Sequence, residues 1–202
     1  MLVKNIFFCL GLLCCQVIHA QFTVGASAGI NLANIREKVN DEMVSNAFLP
    51  RLNAGMDLGY FFNRSWGLQS GAYYAGKGYR IKPTDNFDSI IVRLNYLEIP
   101  LKLCYRIKAY EENWLVVSSG VYGAYGFKGK MTFTGSPELT KDPFKDPGYN
   151  RFDFGYVIES SYGIKNNFSA KLAYSHGLIS LREPEDRMKN FLFNASLVFV
   201  IR

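Results

Sequence analysis

Apolar and polar residues alternate with a period of two along most of this chain, and a period of two is the signature of strands. Eight stretches carry it. In the first, Phe22 to Leu32, the residues Phe22, Val24, Ala26, Ala28, Ile30 and Leu32 share one face, and Thr23, Gly25, Ser27, Gly29 and Asn31 the other. The second runs from Pro50 to Phe62, the third from Trp66 to Tyr79, and the fourth from Ile90 to Arg106. The fifth is Trp114 to Phe127, the sixth Phe152 to Gly163, the seventh Phe168 to Ile179, and the eighth Phe191 to Ile201. In the fourth, Ile90, Val92 and Leu94 carry the apolar face and Arg93 and Asn95 the polar one; from Leu97 on the phase is opposite. A flip near Tyr96 predicts a β-bulge there.

The connections alternate in length. Those after the second, fourth and sixth stretches are short, at 63–65, 107–113 and 164–167. Those at 33–49, 80–89, 128–151 and 180–190 are longer. The longest holds Gly135, Pro137, Pro143, Pro147 and Gly148 and reads as a mobile polar loop. No run after residue 20 reaches 18 apolar residues, so no spanning helix is predicted.

Alternation leaves open whether the apolar face points in, as in a soluble lipocalin-like exported barrel, or out toward lipid. Three features favour lipid. The polar face is rich in Gly, Ser and Ala, which suit the narrow interior of an eight-stranded barrel. The assigned apolar faces carry essentially no charge in mid-strand, where one costs about 2–4 kcal/mol in a bilayer. Aromatic residues sit at the strand ends beside the short turns, namely Phe22, Tyr60, Trp66, Tyr105, Trp114, Tyr162, Phe168 and Phe199, as membrane interfaces select. The expected fold is all-β: an eight-stranded antiparallel up-and-down transmembrane barrel over 21–202, short turns on one side and long loops on the other.

Residues 1–20 read as a signal peptide: Lys4, an apolar core from Ile6 to Leu13, and small Ala20 before Gln21. Three of the four cysteines, Cys9, Cys14 and Cys15, lie in it, so Cys104 alone would remain and no intrachain disulfide is possible. The 202-residue chain holds 23 basic and 17 acidic residues without a basic run, so nucleic acid is not an expected partner. At 49% hydrophobic and 20% charged, it is not a disordered chain.

The inward set includes Arg51, Lys77, Lys102, Arg106 and Lys171 against Asp57, Glu98, Asp153 and Glu159. Buried charges persist only when paired, so a salt-bridged plug is expected rather than a water-filled charged channel. Glu159 and Lys171, on either side of a tight hairpin, are expected as opposite or diagonal inward neighbours. No catalytic site is legible. Ser175 and His176 are adjacent on a strand and so point to opposite faces, and His176 reads as an interfacial histidine. No metal-ligand spacing or phosphate-binding loop occurs, and no cofactor is implied.

The opening Gly25-Ala26-Ser27-Ala28-Gly29-Ile30-Asn31 and the stretch Tyr96-Leu97-Glu98-Ile99-Pro100-Leu101-Lys102 resemble the PorT-like family of outer-membrane β-barrel proteins. The resemblance implies the outer membrane of a Gram-negative bacterium, and for the founding member a link to protein secretion. The expected function is a porin-family-type integral barrel with a structural or binding role and a largely filled polar interior. A permeation or secretion-linked component and a soluble exported lipocalin-like barrel are the alternatives, and a lipid-modifying enzyme is a further one. Expected partners are outer-membrane lipid, and a protein or small molecule at loops 33–49 and 128–151.

Overall fold

A computed structural model describes residues 21–39, 42–44, 46–83, 89–109, 113–134, 139–146, 148–165, 167–182 and 188–201. The proposed signal peptide lies outside the described residues. Among those described, ten strands form: β1 (Gln21–Val39), β2 (Glu42–Val44), β3 (Leu49–Phe61), β4 (Trp66–Ile81), β5 (Ile90–Lys108), β6 (Trp114–Phe133), β7 (Leu139–Lys141), β8 (Phe152–Lys165), β9 (Phe168–Gly177) and β10 (Lys189–Ile201). Eight of them pair in the order β10-β9-β8-β6-β5-β4-β3-β1, and β10 closes on β1 over Val24↔Ile201 to Arg36↔Lys189. All pairs are antiparallel. The result is a closed eight-stranded barrel, and closure leaves the wall without an edge.

The remaining two strands are short hairpin returns at the long-loop end. β2 pairs with the end of β1, and β7 with the end of β6. Among the described residues no helix is long and apolar enough to cross a membrane. Crossing is left to the strands, and the outer wall is dressed for it. Ile30, Leu52, Ile99, Leu101, Leu172 and Leu197 all point outward, with Ile99 55% and Leu172 62% exposed.

Where two strands must approach closely, glycine makes the room. A Cβ on Gly120 would run into the backbone of Leu101 and Lys102 on β5, and one on Gly155 into His176 O and the Tyr122 ring. Pro100 interrupts the β4–β5 register between Ser70↔Leu101 and Tyr73↔Glu98, because it has no N–H to give. Ser70 Oγ donates to Pro100 O at 2.8 Å, so the carbonyl is not wasted.

The structure corrects the sequence reading of the fourth stretch. On β5 the side-chain phase never flips. Val92, Leu94 and Tyr96 point inward with no exposure, in step with Glu98, Lys102 and Cys104 below them. Arg93 and Asn95 therefore face out. What changes near Tyr96 is the solvent outside the wall. A tilted strand crosses a bilayer in about 9–11 residues, whereas β1, β5 and β6 have 19, 19 and 20. The surplus stands clear of the hydrocarbon at the long-loop end, where water lies outside and apolar side chains turn in. A register irregularity does fall at Asn95/Tyr96, but the extra residue is Phe127 on the partner strand β6, since Asn95 pairs with Lys128 and Tyr96 with Gly126.

The same inversion corrects the reading of 128–151 as a mobile polar loop. β6 continues to Phe133, β7 returns along it, and Phe144 and Tyr149 are buried in the barrel's upper core. Gly126 and Gly129 leave the space that Phe144 and Pro143 fill. With Ile35, Tyr79, Val92, Leu94, Leu181 and Met188 they form an apolar core at the loop end.

The inversion predicts a position-dependent cost for one substitution. Ile99→Arg, at mid-wall, will destabilise the barrel by about 2–4 kcal/mol in phospholipid bilayers, and Ile91→Arg, outward on β5 but above the boundary, by about 0–1 kcal/mol. Urea titrations followed by tryptophan emission measure both.

Candidate functional site

The most heavily charged part of the molecule is the middle of the lumen, where three lysines from different strands meet four carboxylates. Lys77 on β4 is 1% exposed; its Nζ lies 2.7 Å from Glu98 on β5 and 3.0 Å from Asp153 on β8. Lys102 on β5 reaches over β6 to Glu159 on β8, at 2.7 Å. Lys171 on β9 reaches Asp57 on β3 at 2.7 Å, with β10 and β1 between their strands.

Small residues stand beside two of the bridges. Asp57 has Gly25 as its register partner on β1 and Gly71 on β4, and Lys102 has Gly120 on β6. Neutral polar groups complete the shells. Tyr73 OH donates to Asp57 Oδ1 at 2.6 Å. Asp153 Oδ2 accepts from Asn190 Nδ2 at 3.0 Å and from Tyr122 OH at 3.3 Å. The ammonium groups also lie over aromatic faces, Lys77 4.2 Å from the Tyr122 ring centre and Lys171 4.8 Å from that of Tyr73. Beside the ion pairs Asn194 Nδ2 donates to Asn31 Oδ1 at 2.7 Å, and Asn31 Nδ2 to Gly76 O at 2.9 Å. The sequence reading gave Asn31, Tyr73, Tyr122, Asn190 and Asn194 no part in the charged cluster. All but Tyr122 and Asn190 stand in the inward phase of the eight stretches as read, and strand parity was the signal that could have found them.

Glu159 and Lys171 are diagonal neighbours, since Glu159 pairs with Ala173 and Lys171 with Ser161. Their ion pairs, however, are with other strands. Two further residues depart from their expected places. The Arg51 guanidinium is not in the lumen. Its Nη2 donates to Asn95 Oδ1 at 2.6 Å, and the same oxygen accepts from Tyr74 OH at 2.8 Å. Asn95 and Tyr74 alternate with inward residues, so Arg51 has turned across Gly76 onto the outer wall near the loop rim. Trp114 is not in the interfacial girdle. It lies on the inward phase of β6 at the short-turn mouth, with the Arg106 guanidinium 4.6 Å from its ring and 4.2 Å from that of Phe61. Arg106 Nε also donates to Arg64 O at 3.1 Å.

The other girdle aromatics face out. Phe22 contacts Tyr60, Trp66 contacts Tyr105, and Phe168 contacts Phe199, at centroid distances of 6.1, 4.8 and 5.2 Å; Tyr162 is exposed beside the same turns. His176 lies outside too, 5.4 Å from Tyr156, while its neighbour Ser175 is buried inside.

The lumen thus has three levels. At the short-turn mouth is a cavity of about 180 Å³ bordered by Asp57, Gln69, Arg106, Trp114, Glu159 and Lys171. Among Glu98, Lys102, Glu159 and Lys171 lies a further cavity of about 40 Å³, space for one or a few waters. Above them sits the apolar core. Among the described residues no group of three or more His, Cys, Asp or Glu is placed to hold a metal ion.

This geometry can be set beside known proteins. The family described as "Outer membrane protein beta-barrel domain" matches residues 16–183. The chain belongs to that family. It is an outer-membrane β-barrel protein, and the family's setting is the outer membrane of Gram-negative bacteria. No curated protein matches the sequence. Among solved structures, Ail, the attachment invasion locus protein of Yersinia pestis, is 15% identical, with 89% of this chain and 99% of that chain covered and a TM-score of 0.43. OprG of Pseudomonas aeruginosa is 12% identical, with 90% and 94% covered and a TM-score of 0.47. The outer-membrane enzyme PagL is 12% identical, with 87% and 98% covered and a TM-score of 0.48.

The buried pairs set a testable asymmetry. Lys102→Ala leaves Glu159 charged and unpaired and will cost about 3–5 kcal/mol, whereas the double variant K102M/E159L removes both charges and will lose far less. Unfolding midpoints in urea, with barrel closure read by gel migration of unboiled samples, measure the difference.

Proposed function

We propose that this protein is a non-conducting outer-membrane barrel with a structural or binding role, presenting its long-loop end to the outside. The observation that carries the reading is the stacking of two obstacles in one lumen. The cavity among Glu98, Lys102, Glu159 and Lys171 has space for one or a few waters, and the level above it is apolar side chain. An ion entering from the 180 Å³ mouth would have to displace lysine–carboxylate pairs and then cross the apolar core. Breaking one partner out of a buried pair alone costs about 3–5 kcal/mol.

The residues that carry the PorT-like resemblance support the same reading. Within Tyr96 to Lys102, Tyr96 packs in the apolar core, Glu98 and Lys102 form lumen ion pairs, Pro100 spaces the ladder, and Leu97, Ile99 and Leu101 face lipid. Barrel construction uses every one of them, so a secretion-linked role is not carried over from them. An enzymatic role is left aside because Ser175 and His176 stand on opposite sides of the wall. Binding of a protein or small molecule is assigned to the loop end, to the segments 33–49 and 128–151, within which β1–β2 and β6–β7 extend the wall.

Planar-bilayer recordings test the proposal. The reconstituted protein is expected to give no steady current, with boiling-dependent gel migration showing that the barrel is closed. A stable ohmic current that Lys102→Met or Glu98→Gln alters would overturn the plugged lumen in favour of permeation.

A further inference from the structure

Just above the lipid-facing wall the outside of the barrel is basic. Arg36, Arg51, Arg80, Arg93, Lys128, Lys130 and Lys189 all stand at the long-loop end, and among the described residues none is ion-paired with a carboxylate. One sector of this rim has a second feature. Arg36 on β1 and Lys189 on β10 are direct register partners, on the outward phase of both strands. Like charges directly opposite in a ladder repel, and an anion placed between them would relieve the repulsion. His176, on the same outer face of β9, lies within electrostatic reach of both.

Directly below them is an apolar groove of about 600 Å³ in the outer wall. Ile30 and Leu32 of β1, Leu172 and Tyr174 of β9, and Phe193 with small Ala195 of β10 line it. The register stacks the two features on the same strands: Ile30↔Ala195 and Leu32↔Phe193 in the groove, Asn34↔Phe191 above, Arg36↔Lys189 at the top. Leu32 and Arg36 are four residues apart, roughly 13 Å along a strand. Phe48 packs against Phe191 and Phe193 at 5.7 and 6.2 Å, so an aromatic collar separates the apolar groove from the cations.

Apolar groove, aromatic collar and paired cations, in that order toward the outside, have the polarity profile of a single phosphate-bearing lipid. We propose that this sector of the wall is a binding site for a phosphorylated, multiply acylated glycolipid of the outer leaflet, with acyl chain in the groove and phosphate between Arg36 and Lys189. The leaflet follows from the long loops facing outward, and in an outer membrane that leaflet is built of such a glycolipid. The site rests on the outer-membrane reading above and gives it a specific lipid partner. Arg93 and Lys130 supply an internal control. They are also direct partners and also outward, but no residue of β5 lines the groove, and its one lining residue on β6, Val117, stands at the other end of that strand from Lys130.

The test is native mass spectrometry of the full folded protein in detergent. It is titrated with bisphosphorylated lipid A, with the same lipid dephosphorylated, with phosphatidylglycerol, and with inorganic phosphate as competitor. Losing two cations near an anionic group should weaken lipid A binding about tenfold or more in the R36Q/K189Q variant. Dephosphorylated lipid should bind the wild-type protein weaker by a similar factor. Ala195→Phe, which fills the groove from the lipid side, should also weaken binding, whereas R93Q/K130Q should change it less than about twofold. Equal losses from both cation pairs, or no effect of Ala195→Phe or of dephosphorylation, would overturn the site. Phosphatidylglycerol binding as tightly as lipid A would overturn the glycolipid assignment, and inorganic phosphate displacing the lipid would reduce the site to a simple anion site. Boiling-dependent gel migration is recorded for each variant. A wild-type protein without it would sink the membrane-barrel reading itself, and for a variant that does not fold, the dephosphorylation arm on the wild-type protein decides.

Discussion

Hydrocarbon offers no hydrogen bonds, so every backbone N–H and C=O that crosses it must find a partner within the chain. The pairing of β10 with β1 meets that demand, and it shapes most of the remaining features. Closing eight strands fixes a narrow lumen. A narrow lumen and closely spaced strands leave little room, and glycines stand opposite two of the ion-paired residues, Gly25 and Gly71 beside Asp57 and Gly120 beside Lys102. Even Pro100, in the middle of β5, is accommodated, with its carbonyl taken by Ser70.

The second constraint is that the solvent outside the wall is not the same along its height. Strand parity is rigid: on β5 the even-numbered residues from Val92 to Cys104 all point inward. The chemistry placed on that parity inverts at the membrane boundary. Where lipid lies outside, the wall shows Leu97, Ile99 and Leu101 and hides Glu98 and Lys102. Where water lies outside, it shows Arg93 and Asn95 and hides Val92 and Leu94. The basic rim and the apolar upper core are two sides of this one inversion. The extra residue Phe127 marks the level at which it happens, a place where a bulge can twist the rising hairpin without disturbing the lipid-facing ladder.

Charge in the lumen follows a different logic from charge in a flat sheet. In a sheet, ion pairs form between cross-strand neighbours. Inside a small barrel the side chains from non-adjacent strands meet across the lumen, and a lysine side chain can span the gap. Hence Lys171 pairs with Asp57 across two intervening strands rather than with its diagonal neighbour Glu159, which is taken by Lys102. Such pairs bring little net stability, because desolvation offsets most of the attraction. Their consequence is specificity: once the lumen holds three lysines and four carboxylates, a shifted register would strand at least one of them unpaired.

The alternation of residues by itself determined the number of barrel strands, the direction of their apolar faces within the membrane, the short-turn and long-loop ends, and most of the lumen's charged residues. These are period-two properties, set by the direction of each Cβ relative to its neighbours. It could not determine which lysine meets which carboxylate, because that depends on the curvature that brings β3 within reach of β9. Nor could it place Arg51, whose long side chain turns across Gly76 onto the outer wall, or Trp114, which keeps the inward phase of β6 at the strand's first residue. The apolar residues of 90–94 were misplaced for a related reason. An apolar side chain reports only that it avoids water, and whether water lies inside or outside the wall at a given height is decided by how far the closed barrel stands above the bilayer.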